Sequence, residues 1–318
     1  MGRADCRQLG LIGMSQRVAV TITTHNRRAE LARTLDQLAR LNPAPDAILV
    51  CADGCQDDTV EFLRTRYPEI HLIIHETARG SIPSRNELAA SADCDVFISL
   101  DDDSYPLDPD FVQKVRDLFA GQPQLAVAAF AQRSDEFPES LTSSDLGCAE
   151  FTGSFANSGA AIRREVFHRL NGYPNFFFHA YEEPDFALRC VASGWQVRFE
   201  PSLVVRHHFT ASQRNEIRTH QRHARNECWS VLLRCPAVLI PFVCGFRMLR
   251  QLRYAASRGS SWVLREPSWW SQAIAGIPRC LAERKPVSWR RYWRWMNLVR
   301  HPLRSEVEWN ALFGERPA

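Results

Sequence analysis

From Arg17 onward the chain alternates short apolar runs with stretches of helical spacing, the pattern of a mostly parallel sheet flanked by helices. Residues 18–22 form a β-branched strand run, and Leu31, Leu35 and Leu38 then share one helical face, with Thr24 or Asn26 able to cap that helix. A second strand is expected over residues 47–51, after Pro43 and Pro45, and it leads into the turn signal Asp53-Gly54. Asp57 and Asp58 suit the positive end of the next helix. Residues 71–74 read as a third strand and 84–92 as a short helix. Residues 96–100 read as a fourth strand that runs directly into Asp101-Asp102-Asp103. Further along, residues 126–130 are expected as a strand, and 163–170 and 185–193 as helices, the latter stopped by Gly194. Residues 196–199 and 203–206 read as two short strands. After His208 no strand pattern returns, and the remainder is helical, aromatic and broken by prolines at 236, 241, 267, 278 and 286.

This division predicts an N-terminal tail over residues 1–16, an α/β domain over 17–210 and a helical region over 211–318. Charge and tryptophan content follow the same boundary. The formal net charge of +3 hides 19 Arg and Lys against 29 Asp and Glu through residue 205, and 20 against 7 beyond it. Eight of the nine tryptophans also lie beyond it, so the two parts are expected to do different work. The 318 residues are ample for a real core, and 45% hydrophobic with 24% charged residues argues against disorder. Ten cysteines without a CxxC pair read as reduced thiols of a cytosolic protein. The first residues lack a secretory apolar core, and Met14 is a second candidate start. Residues 229–249 approach the length of a membrane span. They carry Arg234, Pro236, Pro241 and Arg247, however, and read as interfacial or re-entrant rather than spanning.

Three adjacent carboxylates at Asp101, Asp102 and Asp103 repel one another unless a cation or a ring of donors offsets them. Hard oxygen ligands at a strand's carboxyl end suit Mg or Mn. A solvated loop capping the next helix is the bland alternative. Glu182, Glu183 and Asp185 follow Phe176-Phe177-Phe178; they read either as dipole compensation or as a general base whose pKa an apolar setting raises. His207, at the end of the last expected strand, could complete a metal site with the triplet. Arg79-Gly80 and Arg85-Asn86 frame a loop in which guanidinium forks could meet phosphate oxygens. Neither GxGxxG after the first strand nor GxxxxGK[ST] occurs, which disfavours a Rossmann dehydrogenase and a P-loop NTPase.

Several segments taken in order resemble the family 2 glycosyltransferases of the GT-A fold. They are residues 18–27 (VAVTITTHNR), 50–57 (VCADGCQD), Arg79-Gly80 with Ser84-Arg85-Asn86, Leu100 with the Asp triplet, residues 181–185 (YEEPD), and Val204 to His207. The resemblance covers about residues 17–210 and implies a metal-dependent, inverting hexosyl- or deoxyhexosyltransferase. By position, Thr23, Asn26, Arg27 and Asp53 match residues that hold the nucleotide of the donor, and Arg79 and Arg85 the basic loop near its diphosphate. Asp101 and Asp102 match the donor side of the DxD motif, Asp103 and His207 the ligands of the divalent metal, and Glu183 the catalytic base. The chain departs from the family pattern in having Ala52-Asp53-Gly54-Cys55 where Asp-Asp-Gly-Ser is common, and Glu where the base is often Asp. Asp185 therefore stays a rival for the base.

The basic last third interleaves Arg with Trp, as in residues 288–295 (SWRRYWRW). An anionic membrane surface is the favoured partner, which would place the enzyme peripherally on the inner face of the cell membrane beside a glycan or lipid-linked acceptor. Nucleic acid is disfavoured because residues 231–249 are too apolar for such a face. A helical subdomain with its tryptophans in the core is the third reading. A catalytically inactive GT-A carbohydrate-binding or scaffold protein and a nucleotidyltransferase are the alternatives to the enzyme.

Overall fold

The computed structural model describes residues 16–209 and 215–314; the tail expected at the N-terminus and Met14 lie outside them. The chain runs β1 (Val18–Thr24), α1 (Arg28–Leu38), β2 (Ala47–Asp53), α2 (Thr59–Arg66), β3 (His71–His75), α3 (Ser81–Ser91) and β4 (Val96–Asp101). It continues β5 (Ser104–Pro106), α4 (Phe111–Gly121), β6 (Leu125–Ser134), β7 (Glu150–Phe151), β8 (Ala160–Arg163), α5 (Arg164–Arg169), α6 (Glu182–Ala192) and β9 (Gln196–His207). Among the described residues seven α-helices follow: α7 (Glu216–Arg234), α8 (Ile240–Arg258), α9 (Ser260–Val263), α10 (Glu266–Ala275), α11 (Ile277–Ala282), α12 (Trp289–Arg300) and α13 (Glu306–Phe313).

The strands form one sheet in the order β3-β2-β1-β4-β8-β6-β9-β5, with β7 paired to β9. The first four are parallel, as the alternating pattern requires, and the β6–β9 pair is parallel too. β8 and β5 run antiparallel to their neighbours, and sequence reading missed both strands. β8 is four residues flowing straight into α5, too short to show a period. The two short strands expected over 196–199 and 203–206 are one strand, β9, with a register shift against β6 between Phe130 and Ala131. Pro201 and Ser202 interrupt the apolar pattern there, which is why it looked like two.

Alternation along β1 sends Val18, Val20 and Ile22 to one face of the sheet, against α1, α2 and α4. Ala19 faces the other side, against α3. Leu31, Leu35 and Leu38 are buried on that first face, each side chain contributing roughly 1.5–3 kcal/mol of burial. The second face is shared with the C-terminal helices, since Trp229, Leu233, Tyr292, Trp295, Leu298 and Trp309 belong to the same apolar cluster as Phe97, Phe167 and Phe186. Of the eight late tryptophans, 229, 269, 295 and 309 are buried, while 289 and 293 are exposed. Trp295 also donates its indole N–H to Gly153 O at 2.9 Å. Much of the Trp-rich character is therefore packing.

Candidate functional site

Parallel pairing brings the ends of β2, β1 and β4 to one edge, with Thr23 opposite Asp101 and Cys51 in register. Ligands in open α/β sheets bind outside such carboxyl ends. The β5–β9 pair sets Ser104 opposite His207, which carries the far end of β9 to the Asp triplet. His208 N then donates to Asp103 O at 2.8 Å. Asp101, Asp103 and His207 can place ligand atoms within 4.8 Å of one another. Two carboxylates and an imidazole form a donor set that fits Mn or Mg.

The triplet divides by role. Asp103 is buried; its Oδ2 accepts from Arg27 Nη2 at 2.6 Å, and its Oδ1 lies 3.3 Å from His207 Nε2. Burial works to raise its pKa, but the hydrogen bond from His207 and the charge of Arg27 outweigh this and hold it at about 2. Asp102 points into the protein, accepting from Thr24 Oγ1 at 2.8 Å and lying 3.4 Å from Arg27 Nη1. Burial pushes it up to about 7. Asp101 is half-buried and bonded by Arg85 Nη2 at 2.5 Å. Arg85 is buried and reaches with its other arm to Glu182 Oε1 at 3.4 Å. It joins the two acidic clusters, which lie about 80 residues apart in sequence.

At the second cluster the rivals separate. Asp185 is fully buried, with Oδ1 accepting from Ser230 Oγ at 2.9 Å and from Arg234 Nε at 3.0 Å, and Oδ2 from Arg189 Nε at 2.9 Å. Burial is outweighed by the two guanidinium groups, and its pKa is lowered. Both its oxygens are committed to tying α6 to α7. Glu183 is half-buried and accepts a 3.3 Å bond from Asn157 N. Burial and then the neighbouring Glu182 carboxylate push it up to about 8.

The donor-side residues have mixed placements. Asn26 does not cap α1; its backbone is left-handed (φ 54°) and its Oδ1 accepts from Gln56 N at 2.6 Å. Thr24 is spent on Asp102, and the residue before α1 is Arg27, with no side-chain cap. Asp53 is buried; its oxygens accept from Arg79 N and Gly80 N, both at 2.8 Å, and approach His75 Nδ1 at 2.7 Å. It thus shapes the Arg79-Gly80 loop. Gly80 has φ 100°, and a Cβ there would sit 2.3 Å from Phe178 O, so this loop leans directly on the chain ahead of α6. The Arg79 side chain is exposed.

Sequence reading missed three polar residues. Asn157, between β7 and β8, donates Nδ2 to Glu182 Oε1 at 3.2 Å and accepts from Tyr173 OH at 2.8 Å. His179 packs its Nδ1 2.8 Å from Ser81 Oγ. Asn226, buried on α7, brings Nδ2 within 3.1 Å of three carbonyl oxygens, those of Phe177, His179 and Ala180. Those carbonyls belong to a segment in which Phe178, Ala180 and Tyr181 all have positive φ, a costly arrangement for non-glycine residues. An Asn in a helix carries no local signal of such a partner.

The glycosyl transferase family 2 model matches residues 19–178. The O-antigen chain rhamnosyltransferase RfbN of Salmonella typhimurium is 24% identical over 222 residues, 64% of this chain and 70% of that protein. Two solved structures share the fold. One is mannosyltransferase PcManGT from Pyrobaculum calidifontis in complex with GDP-Man and Mn2+ (TM-score 0.55, 17% identity, 83% of this chain and 87% of that one). The other is S. aureus TarS 1-349 in complex with UDP-GlcNAc (TM-score 0.56, 14% identity, 84% of each chain). With that match over half its length, on a sheet whose strand ends gather these acidic clusters, the chain belongs to glycosyl transferase family 2 and is a glycosyltransferase.

Proposed function

We propose that this enzyme moves a sugar, with inversion, from a nucleotide-diphosphate sugar to a hydroxyl of a glycan or lipid-linked acceptor in cell-surface polysaccharide synthesis. The observation that carries the reading is the joining, through Arg85, of the Asp101–Asp103–His207 set to the cluster that holds Glu183. The rhamnosyltransferase relative supports a deoxyhexose and a surface polysaccharide, and the neighbours' nucleotide-sugar and Mn2+ complexes support the donor class and the metal. Asp101, Asp103 and His207 would hold the ion, and a bound divalent cation supplies charge that stabilises the departing diphosphate. Arg79, exposed beside the donor edge, adds a fork for a phosphate oxygen. Glu183, ionised above its raised pKa, takes the proton of the attacking hydroxyl. A single base on the face opposite the leaving group is the arrangement of an inverting displacement. The basic last third supports a peripheral location at the inner face of the cell membrane. No helix among the described residues is long and apolar enough to cross a bilayer.

Two measurements bear on this. A thermal-shift screen of UDP-, dTDP- and GDP-sugars with and without Mg or Mn is expected to show metal-dependent stabilisation by one donor class, about 2.7 kcal/mol at a hundredfold excess over Kd. No metal-dependent shift from any donor would remove the reading. Asn226→Ala is expected to lower kcat more than tenfold with donor KM nearly unchanged, because the segment that aims Glu183 loses its anchor while the strand-end donor edge does not. It should also cost about 1–3 kcal/mol of stability. Equal losses in kcat and donor affinity would make Asn226 a purely structural residue.

A further inference from the structure

Helix α8 is held on one face and bare on the other. On the held face, Glu227 of α7 is fully buried and pairs with Arg247 at 2.7 Å, with Arg250, and with Gln251 Nε2 at 2.6 Å. The opposite face begins at Val238, in the short 3-10 turn Ala237–Leu239 that leads into the helix, and continues through Phe242, Phe246 and Leu249, which are 77%, 76%, 53% and 46% exposed. Within the helix the spacing of four and three residues from Phe242 through Phe246 to Leu249 keeps them on one line of the cylinder. Gly245 lies within the stripe, and exposed Arg253 extends it by one turn.

No Asp or Glu occurs between Cys228 and Arg265, while six arginines do. Arg234 is buried against Asp185, Arg247 is held by Glu227 and Arg258 pairs with Glu216, and the cations open to solvent beside the stripe are Arg253, Arg265 and the outer part of Arg250. A solvent face with two exposed phenylalanines in an acid-free, arginine-bearing segment has no folding reason to exist. A helix with an apolar stripe flanked by cations, too short in apolar length to span, lies in the plane of a bilayer surface. Charge complementarity then selects the lipid, since arginines near the headgroups favour an anionic surface. The exposed tryptophans Trp289 and Trp293 of α12 are of the residue type that sits at headgroup depth.

We propose that the Val238–Phe242–Phe246–Leu249 stripe of α8 is a preformed docking surface for an anionic lipid bilayer, entered by the aromatic side chains and bordered by arginine. The proposal rests on the peripheral location given above and names the helix that produces it. The Arg-Trp run of α12, which the sequence favoured, is secondary because Trp295 and Tyr292 are packed inside. The Glu227 clamp makes the surface rigid, so binding needs no refolding of α8.

The test uses the full chain and vesicles of phosphatidylcholine with or without phosphatidylglycerol, read by co-flotation. Wild type is expected to float with the phosphatidylglycerol vesicles and much less with phosphatidylcholine alone. The Phe242→Ser/Phe246→Ser variant is expected to lose at least about tenfold in partitioning, and Phe242→Leu/Phe246→Leu to keep most of it. Both pairs are exposed, so circular dichroism and the metal-dependent donor shift should match wild type. Undiminished flotation of the Ser variant, or no flotation of wild type, overturns the proposal. So does a wild-type dimer in light scattering that the Ser variant abolishes, because a second copy would then cover the stripe. The donor shift is read on the same samples, so failure of vesicle binding with an intact donor shift leaves the metal-dependent donor reading standing, and the reverse pattern condemns only that reading.

Discussion

Glu183→Gln is expected to lower kcat by roughly 10²–10⁴-fold, the usual contribution of a positioned general base, with donor affinity nearly unchanged. Gln keeps the shape and the bond from Asn157 N but cannot accept the hydroxyl proton. In wild type, kcat/KM should rise with pH through an apparent pKa of about 8, since burial and the Glu182 charge delay ionisation and only the ionised carboxylate is a base. The sign also reaches stability. A carboxyl raised from 4.5 to about 8 binds its proton more tightly in the folded state, so its contribution is full at low pH and lost as pH rises through that window. Above it, the Gln variant should be at least as stable as wild type. Asp185→Asn should behave differently. It breaks a buried pairing with Arg189 and Arg234 and should cost about 3–5 kcal/mol, read as a fall in Tm. A Glu183→Gln enzyme that turns over normally beside a folded, inactive Asp185→Asn enzyme would reverse the assignment.

Asp103→Asn is expected to reduce transfer by at least about 10²-fold, the scale of losing one preorganised electrostatic partner of the transition state. Asp103 is held ionised, at about 2, by the His207 hydrogen bond and the Arg27 charge acting against burial. A neutral amide cannot replace it as a hard anionic ligand. Calorimetric titration with Mn should therefore show weakened metal binding in the variant, and the donor thermal shift should lose its metal dependence. Full Mn affinity in the folded variant would remove Asp103 from the metal site. His207→Ala should weaken Mn binding less, because it removes one neutral ligand and leaves both carboxylates.

Local pattern carried much of the fold. The β-branched runs at β1 to β4 and the leucine spacing of α1 report burial on one face, which is a property of neighbouring residues. The elements that escaped were those whose form depends on a distant partner. β5 is three residues long and exists by pairing with β9. Asn26 has the chemistry of a helix cap, yet a left-handed backbone turns its side chain to the loop at Gln56, 30 residues away. The sequence left the late tryptophans open between a surface and a core role, and packing divides them into a buried set, an exposed pair and two that are partly buried.

The sequence by itself determined the acidic strand end, the order of its motifs, the basic excess after residue 205 and the acid-free stretch that holds α8. These are properties of residue identity and short-range periodicity. Only the tertiary structure decided which carboxylates can act. Asp185 and Glu183 differ by two positions, yet one is committed to Ser230 and Arg234 of α7, while the other accepts from backbone N–H groups and lies beside a like-charged neighbour. Ionisation is governed by desolvation and by the charges within a few ångströms. In this chain those charges arrive from α3, α6, α7 and the segment between β7 and β8, segments whose convergence no local pattern encodes.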